Sequence, residues 1–240
     1  MTNTLKSLVL YLPFTTQSKG PKMPYIIFEG PDGTGKSTAI QNVQKLLEAD
    51  SPSTTISTQL PGATPLGKQI RTIVKTPHLI DKDIKVSPYV RQMLYATDYA
   101  DYLDGFLKPN LDKNLTVLCD RCSAVSAIVY GISEGADLTL LKKLFGNLDS
   151  PTADIMFIFQ CPVEETIARM TSERDPNDHF DSKPAEFKKQ LHKAYDNIVR
   201  PKLFTHPYYQ RLSNKIIGID ASQSQEAVAS QIYHEIKKIK

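Results

Sequence analysis

The run FEGPDGTGKST at residues 28–38 carries three glycines, a lysine and a serine directly after the apolar stretch YIIFE. Glycines let a backbone take left-handed angles, so that several N–H groups face one concavity. A helix starting there adds its own unsatisfied N–H groups and the positive end of its dipole. Gly30, Gly33, Thr34, Gly35 and Thr38 thus read as a cradle for an anion. Lys36 brings a point charge to terminal phosphates, and Ser37 a hydroxyl for magnesium. The spacing is that of a P-loop, and it fits ATP or another nucleoside triphosphate.

Composition narrows the class. The 240 residues suit one α/β domain, with a core large enough to need no disulfide staples. Net charge is +3, from 29 basic and 26 acidic residues, an excess that a phosphate site absorbs and that makes no case for a nucleic-acid surface. The three cysteines read as reduced thiols of a cytoplasmic protein. Cys119 and Cys122 form a C-x-x-C, but a zinc site needs a second pair. No apolar run approaches membrane-spanning length. Residues 1–23 lack acids and hold only a brief apolar patch, which predicts a loose leader or flexible arm, with Met23 a candidate functional start.

The elements that must position the motif follow from periodicity. PYIIFEG reads as a buried strand, and Ile40, Val43, Leu46 and Leu47 place one face of the next helix on the core. STTIST predicts a second strand, QLPGATP a loop, and 66–75 a short helix. A long helix is predicted over 88–107, with Met93, Leu94, Ala96, Ala100 and Leu103 as its apolar stripe. LTVLC, ADIMFIFQC and NKIIGID read as further strands, with helices after the second and third of them. Residues 175–182 are rich in turn formers, and Pro184 opens another helix. Strands alternating with helices predict a five-stranded parallel sheet covered on both faces. Ligands of such sheets bind at the carboxyl ends of the strands, where the glycine loop, QLPGATP and Asp120-Arg121 must converge.

With these segments in order, residues 24–240 resemble the thymidylate kinases, a family of P-loop nucleoside monophosphate kinases. FEGPDGTGKST is similar to the family's phosphate loop, including the extra acid Asp32. TQLPGATPLGKQIR is similar to its Thr-Arg-Glu-Pro-Gly-Gly-Thr segment, and MLYATDYA to Leu-Leu-Phe-Ala-Ala-Asp-Arg. LCDRCSAVSAIVYG, DHFD, FKKQLHKAYDNI and IDASQSQEAV match the later segments. The resemblance implies a P-loop NTPase-type fold with a lid over about 171–183, and phosphoryl transfer from ATP with magnesium to a deoxynucleotide, dTMP or a related pyrimidine nucleotide. It implies a homodimer without nucleic-acid or membrane partners. By the same likeness, Lys36 holds the donor phosphates, Ser37 and Asp120 hold magnesium, and Arg121 grips the acceptor phosphate. Asp32 serves the acceptor, Tyr95 stacks on the base, and Ser126 lies near the base edge. Thr34 replaces one branch's loop arginine, which makes Arg174 the candidate lid arginine, with Arg169 behind it. Asp120 has a plain alternative as a helix N-cap.

Departures gather on the acceptor side. Gln59 and Tyr99 stand where the family has arginines, Leu60 replaces a glutamate, His179 replaces the lid arginine, and Val129 an aromatic, with Tyr130 one residue on. A buried dianion short of cations is costly. Either Arg71 or Arg91 assists Arg121, or the acceptor differs. Three readings therefore stand: a deoxynucleoside monophosphate kinase, which leads; a deoxynucleoside kinase acting on a neutral 5'-hydroxyl; and a non-catalytic nucleotide-binding paralogue.

Overall fold

The computed structural model describes residues 23–170, 178–199 and 207–239. Five strands form one sheet: β1 (Tyr25–Glu29), β2 (Thr55–Gln59), β3 (Thr116–Asp120), β4 (Ile155–Gln160) and β5 (Ile216–Asp220). Their spatial order is β2-β3-β1-β4-β5, and each neighbouring pair is parallel. The three central strands are apolar at successive positions because both faces are covered. Alternate residues feed two cores. Tyr25, Ile27, Val117, Cys119, Met156 and Ile158 face one side. Ile26, Phe28, Leu118, Ile155, Phe157 and Phe159 face the other.

The second core is closed by α1 (Lys36–Asp50) and the last helix, which spans Gln225–Lys237. Ile40 and Val43 of α1 are buried, as expected, and so is Ala39, but Leu46 is 39% exposed. The first core lies under α2 (Pro65–Lys75), α3 (Pro88–Tyr102), α5 (Ser123–Ser133), α6 (Leu138–Gly146) and α8 (Ala185–Val199). Between them in the chain come the short α4 (Lys108–Asp112) and α7 (Val163–Met170), and α9 (Pro207–Leu212) precedes β5, so the last helix is α10. Side-chain caps set several starts: Thr64 accepts from Gly67 N, Ser87 from Val90 N and Ser224 from Ala227 N. Such a cap contributes about 1 kcal/mol.

Helix α3 departs from its predicted stripe. Met93 is 41% exposed, while Arg91, Gln92, Tyr95, Asp98, Tyr99 and Tyr102 are buried. A count of aliphatic positions misses this face because its apolar area belongs to tyrosine rings. Regular α-helix ends at Tyr102 and passes through a π turn, Leu103–Leu107, into α4, so the predicted unbroken helix to 107 is corrected at its last turn. Cys119 and Cys122 are buried free thiols, and burial pushes Cys122 up to about 12, which makes it a core residue in its chemistry. Among the described residues, no helix is long and apolar enough to cross a membrane.

Candidate active site

The loop after β1 turns back over the carboxyl edge of the sheet because it has no side chains at two tight points. Gly30 (φ +142°) would place a Cβ 2.7 Å from Phe159 O, and Gly33 (φ +80°) one 2.7 Å from Thr166 O on α7. Gly35, also left-handed, starts α1. The Lys36 ammonium lies inside the loop, donating to Gly30 O at 2.9 Å and Pro31 O at 2.7 Å. Burial, and next the Arg121 charge, pull its pKa down to about 8. Thr34 Oγ1 braces the loop by donating to Pro31 O at 2.9 Å.

Ser37, at the first turn of α1, donates its hydroxyl to Asp120 Oδ2 at 2.9 Å. Asp120 ends β3 between Phe28 of β1 and Gln59 of β2. It is no helix cap, since α5 begins at Ser123 with Cys122 in the cap position. The next residue, Arg121, has φ +76° and donates its own N–H to Phe28 O. Its Nη2 meets Asp32 Oδ1 at 2.7 Å, and its Nη1 donates to Gly30 O and Tyr195 Oη, both at 3.1 Å. Tyr130 donates to Asp32 Oδ2 at 3.1 Å, and its ring lies under the Arg121 guanidinium.

These groups open on one cleft of about 820 Å3. Asp32, Gly33, Thr34, Gly35, Lys36, Ser37 and Thr38 line it from the loop and the start of α1, together with Tyr95, Arg121, Ser126 and Tyr130. Gly30 does not line the cleft, but its carbonyl accepts from both Lys36 and Arg121. Tyr95 is 7% exposed, and burial raises its phenol far above the ordinary range. Ser126 reaches the cleft, yet its hydroxyl donates to Glu29 Oε1 at 2.8 Å.

Of the departures, Gln59 and Leu60 reach the cleft and Tyr99 does not. Gln59, Arg71 and Lys75 line the cleft, with Arg71 Nη1 donating to Pro61 O at 3.1 Å and Lys75 paired to Asp178 at 3.0 Å. Arg91 does not: it is 1% exposed, donates to Val74 O and Val86 O, and lies against the Phe180 ring. Tyr99 also points away, with its hydroxyl 2.7 Å from Ser150 Oγ and its ring stacked on Tyr102. Val129 is core, and Tyr130 supplies the aromatic at the site. His179 bonds Glu134 Oε1 at 2.7 Å. Arg169 lines the cleft, donating to Glu165 and to Ala221 O. Arg174 lies outside the described residues.

Sequence reasoning missed Glu29 and Tyr195. An acid closing an otherwise apolar buried strand was the available signal for Glu29; nothing singled out Tyr195. Among the described residues no three His, Cys, Asp or Glu side chains gather as metal ligands.

Residues 28–232 match the family model described as thymidylate kinase. The chain is 30% identical to the thymidylate kinase of Halothermothrix orenii over 216 residues, 89% of this chain and 96% of that protein. It is 31% identical to the thymidylate kinase of Prochlorococcus marinus over 225 residues, 91% and 98% of the two chains. Identity reaches 34% with that of Mycoplasmopsis agalactiae, over 75% of this chain and 84% of the relative.

Proposed function

The chain belongs to the thymidylate kinase family, and we propose that it transfers the terminal phosphoryl group of ATP to deoxythymidine monophosphate in this cleft. The observation carrying the reading is that Lys36 and Arg121 both line this opening and both donate to Gly30 O, so two cations stand side by side where phosphates would enter. Little covalent chemistry is required of the protein, so alignment and neutralisation of charge set the rate. Lys36 and the loop amides hold the donor phosphates. Arg121 grips the acceptor phosphate with its planar fork, and Arg71 assists from α2. Tyr95 offers its ring to the base, with Ser126 at the base edge, and Asp32 accepts from the sugar. Arg174 is the lid arginine of this reading.

The Ser37 hydroxyl and the Asp120 carboxylate, 2.9 Å apart at the loop mouth, are hard oxygen donors of the kind magnesium takes one or two at a time beside phosphates. When bound there, the ion neutralises phosphate charge.

Two copies pair, in this reading, through the outward face of α3, where Tyr89, Val90 and Met93 are 59%, 48% and 41% exposed. Met93→Glu then shifts the sedimentation coefficient toward that of a monomer. The buried, reduced thiols fit a cytoplasmic setting.

An ADP-release assay with ATP tests the function over dTMP, thymidine and other nucleoside monophosphates. Turnover with dTMP well above thymidine is expected. Preference for thymidine, or no turnover with any acceptor, would overturn the reading. The neutral-acceptor reading is not favoured by the relatives, and one of its supports, the arginine replaced by Tyr99, concerns a side chain that does not face the cleft.

A further inference from the structure

Glu29 and Tyr195 are fully buried, and neither lines the cleft, yet both touch the arginine that does. The Glu29 carboxylate accepts from Cys122 N at 2.7 Å, Ser126 Oγ at 2.8 Å and Tyr195 Oη at 2.9 Å. It stands 3.6 Å from Arg121 Nη1. Tyr195, on α8, also accepts from Arg121 Nη1 at 3.1 Å.

The direction of each bond is settled by counting protons. A phenol has one, and Tyr195 gives it to Glu29, which leaves an oxygen lone pair for Arg121. The series Arg121 to Tyr195 to Glu29 is then donor to acceptor throughout. Cys122 N and Ser126 Oγ also point protons at Glu29, so the ionised carboxylate satisfies every partner. Burial favours its neutral form and raises its pKa, and the Arg121 charge is the first force opposing that.

The same count constrains the arginine. Nη1 has two protons, committed to Gly30 O and Tyr195 Oη. The Nη2–Nε edge is what remains to meet a phosphate side-on, with Asp32 at one end of it. An arginine free to turn about its last bonds offers either edge; this one offers one.

We infer that Glu29 and Tyr195 are positioning residues for the acceptor phosphate, a buried relay that aims the Arg121 fork into the cleft and ties that aim to α8. The inference rests on the proposed dTMP kinase reading. Neither residue touches substrate; both act through Arg121, and Glu29 also through Ser126. Without the Tyr195 hydroxyl, an Nη1 proton and a Glu29 oxygen lose a partner, and the guanidinium gains freedom to swing toward either carboxylate. Charge on the acceptor is then met at the wrong angle, which weakens binding of the phosphate and disturbs in-line transfer.

The test uses Tyr195→Phe, which keeps the buried ring, and Glu29→Gln, which keeps the shape, each in the full chain. Steady-state kinetics give KM and kcat for dTMP and KM for ATP; competition gives the inhibition constant of thymidine, which lacks the phosphate. Tyr195→Phe is expected to raise the KM for dTMP about tenfold and to lower kcat, with thymidine inhibition and the KM for ATP within about twofold of the unmodified protein. Glu29→Gln, whose carbonyl oxygen can keep the Cys122 and Ser126 bonds made at Oε1 while its amide replaces the Oε2 acceptor, is expected to show the same split, and the double variant to be no worse than the more affected single one, because one relay is broken once. Equal weakening of dTMP and thymidine would overturn the inference, since it means a distorted pocket. Unchanged dTMP kinetics in Tyr195→Phe, beside normal turnover by the unmodified protein, would overturn it alone. Absence of dTMP turnover in the unmodified protein would overturn the function reading, and the inference with it.

Discussion

Arg121 and Asp32 form an ion pair of 2.7 Å between the end of β3 and the phosphate loop. An acceptor dianion brought to the same guanidinium meets the Asp32 carboxylate as a competitor. The planar fork matters here because separate protons on Nη2 and Nε can meet two anions along its one remaining edge, whereas an ammonium is a single point. Arg121→Lys is therefore expected to raise the KM for dTMP about tenfold and to lower kcat by a similar factor, because a misplaced oxygen loses alignment. Unchanged kinetics would move the phosphate contact to Arg71 or Lys75.

Lys36 yields a pH dependence with a definite sign. With its pKa near 8, the ammonium is charged below that pH and increasingly neutral above it. Donor phosphates favour the charged form, so ATP affinity should be flat below about pH 7 and fall above about 8, by up to about tenfold per pH unit. Calorimetry near pH 8 in buffers of different ionisation enthalpy should register proton uptake on ATP binding. Lys36→Ala should abolish that uptake and lower turnover by about 10²–10³ while the circular dichroism spectrum is kept.

Asp98 predicts a second profile, in stability. Its carboxylate accepts from Gly62 N at 3.0 Å and Ser123 Oγ at 3.2 Å, and burial pushes its pKa up to about 7 against those bonds. The unfolded chain ionises this group near its ordinary value, so between about pH 4 and 7 the folded form holds the extra proton. Stability from this group therefore falls as pH rises across that window. Asp98→Asn can keep the Gly62 bond and donate to Ser123. Its Tm minus that of the unmodified protein should climb from pH 4 to 7 and then level off; a difference independent of pH would rule the assignment out.

Tyr99, which the resemblance sets against a family arginine, is 1% exposed, bonded to Ser150 and stacked on Tyr102. Tyr99→Arg is thus expected to bury a cation with no carboxylate in place, at a cost on the order of 3 kcal/mol or more, and to give no gain in dTMP affinity. Thermal unfolding beside dTMP titration checks both halves. A stable variant that binds dTMP more tightly would show that the side chain can reach the cleft.

The central strands and the phosphate loop are legible in the sequence for a physical reason: strands covered on both faces run mostly apolar, and the loop tolerates no Cβ at Gly30 or Gly33. The acceptor wall is less legible. Tyr95, Tyr99 and Tyr102 pack one face of α3, but only Tyr95 also lines the cleft. Spacing cannot tell platform from core when the residue type is the same. Arg91 and Arg71 pose the same difficulty, since a buried arginine tied to backbone carbonyls and set 3.5 Å from Glu134 looks no different in sequence from one facing a ligand. Glu29 and Tyr195 are 166 positions apart, and no local pattern joins them.

The Gly33 contact has a consequence for redesign. A methyl group there would come within 2.7 Å of Thr166 O and 2.9 Å of Met170 Cγ, so loop and α7 share a wall one hydrogen thick. A loop without glycine at position 33 cannot be brought in without moving α7. Transplanting donor preference into this scaffold means moving residues 30–36 and 163–170 as one cassette, and a library that varies the loop while keeping α7 will mostly sample clashes.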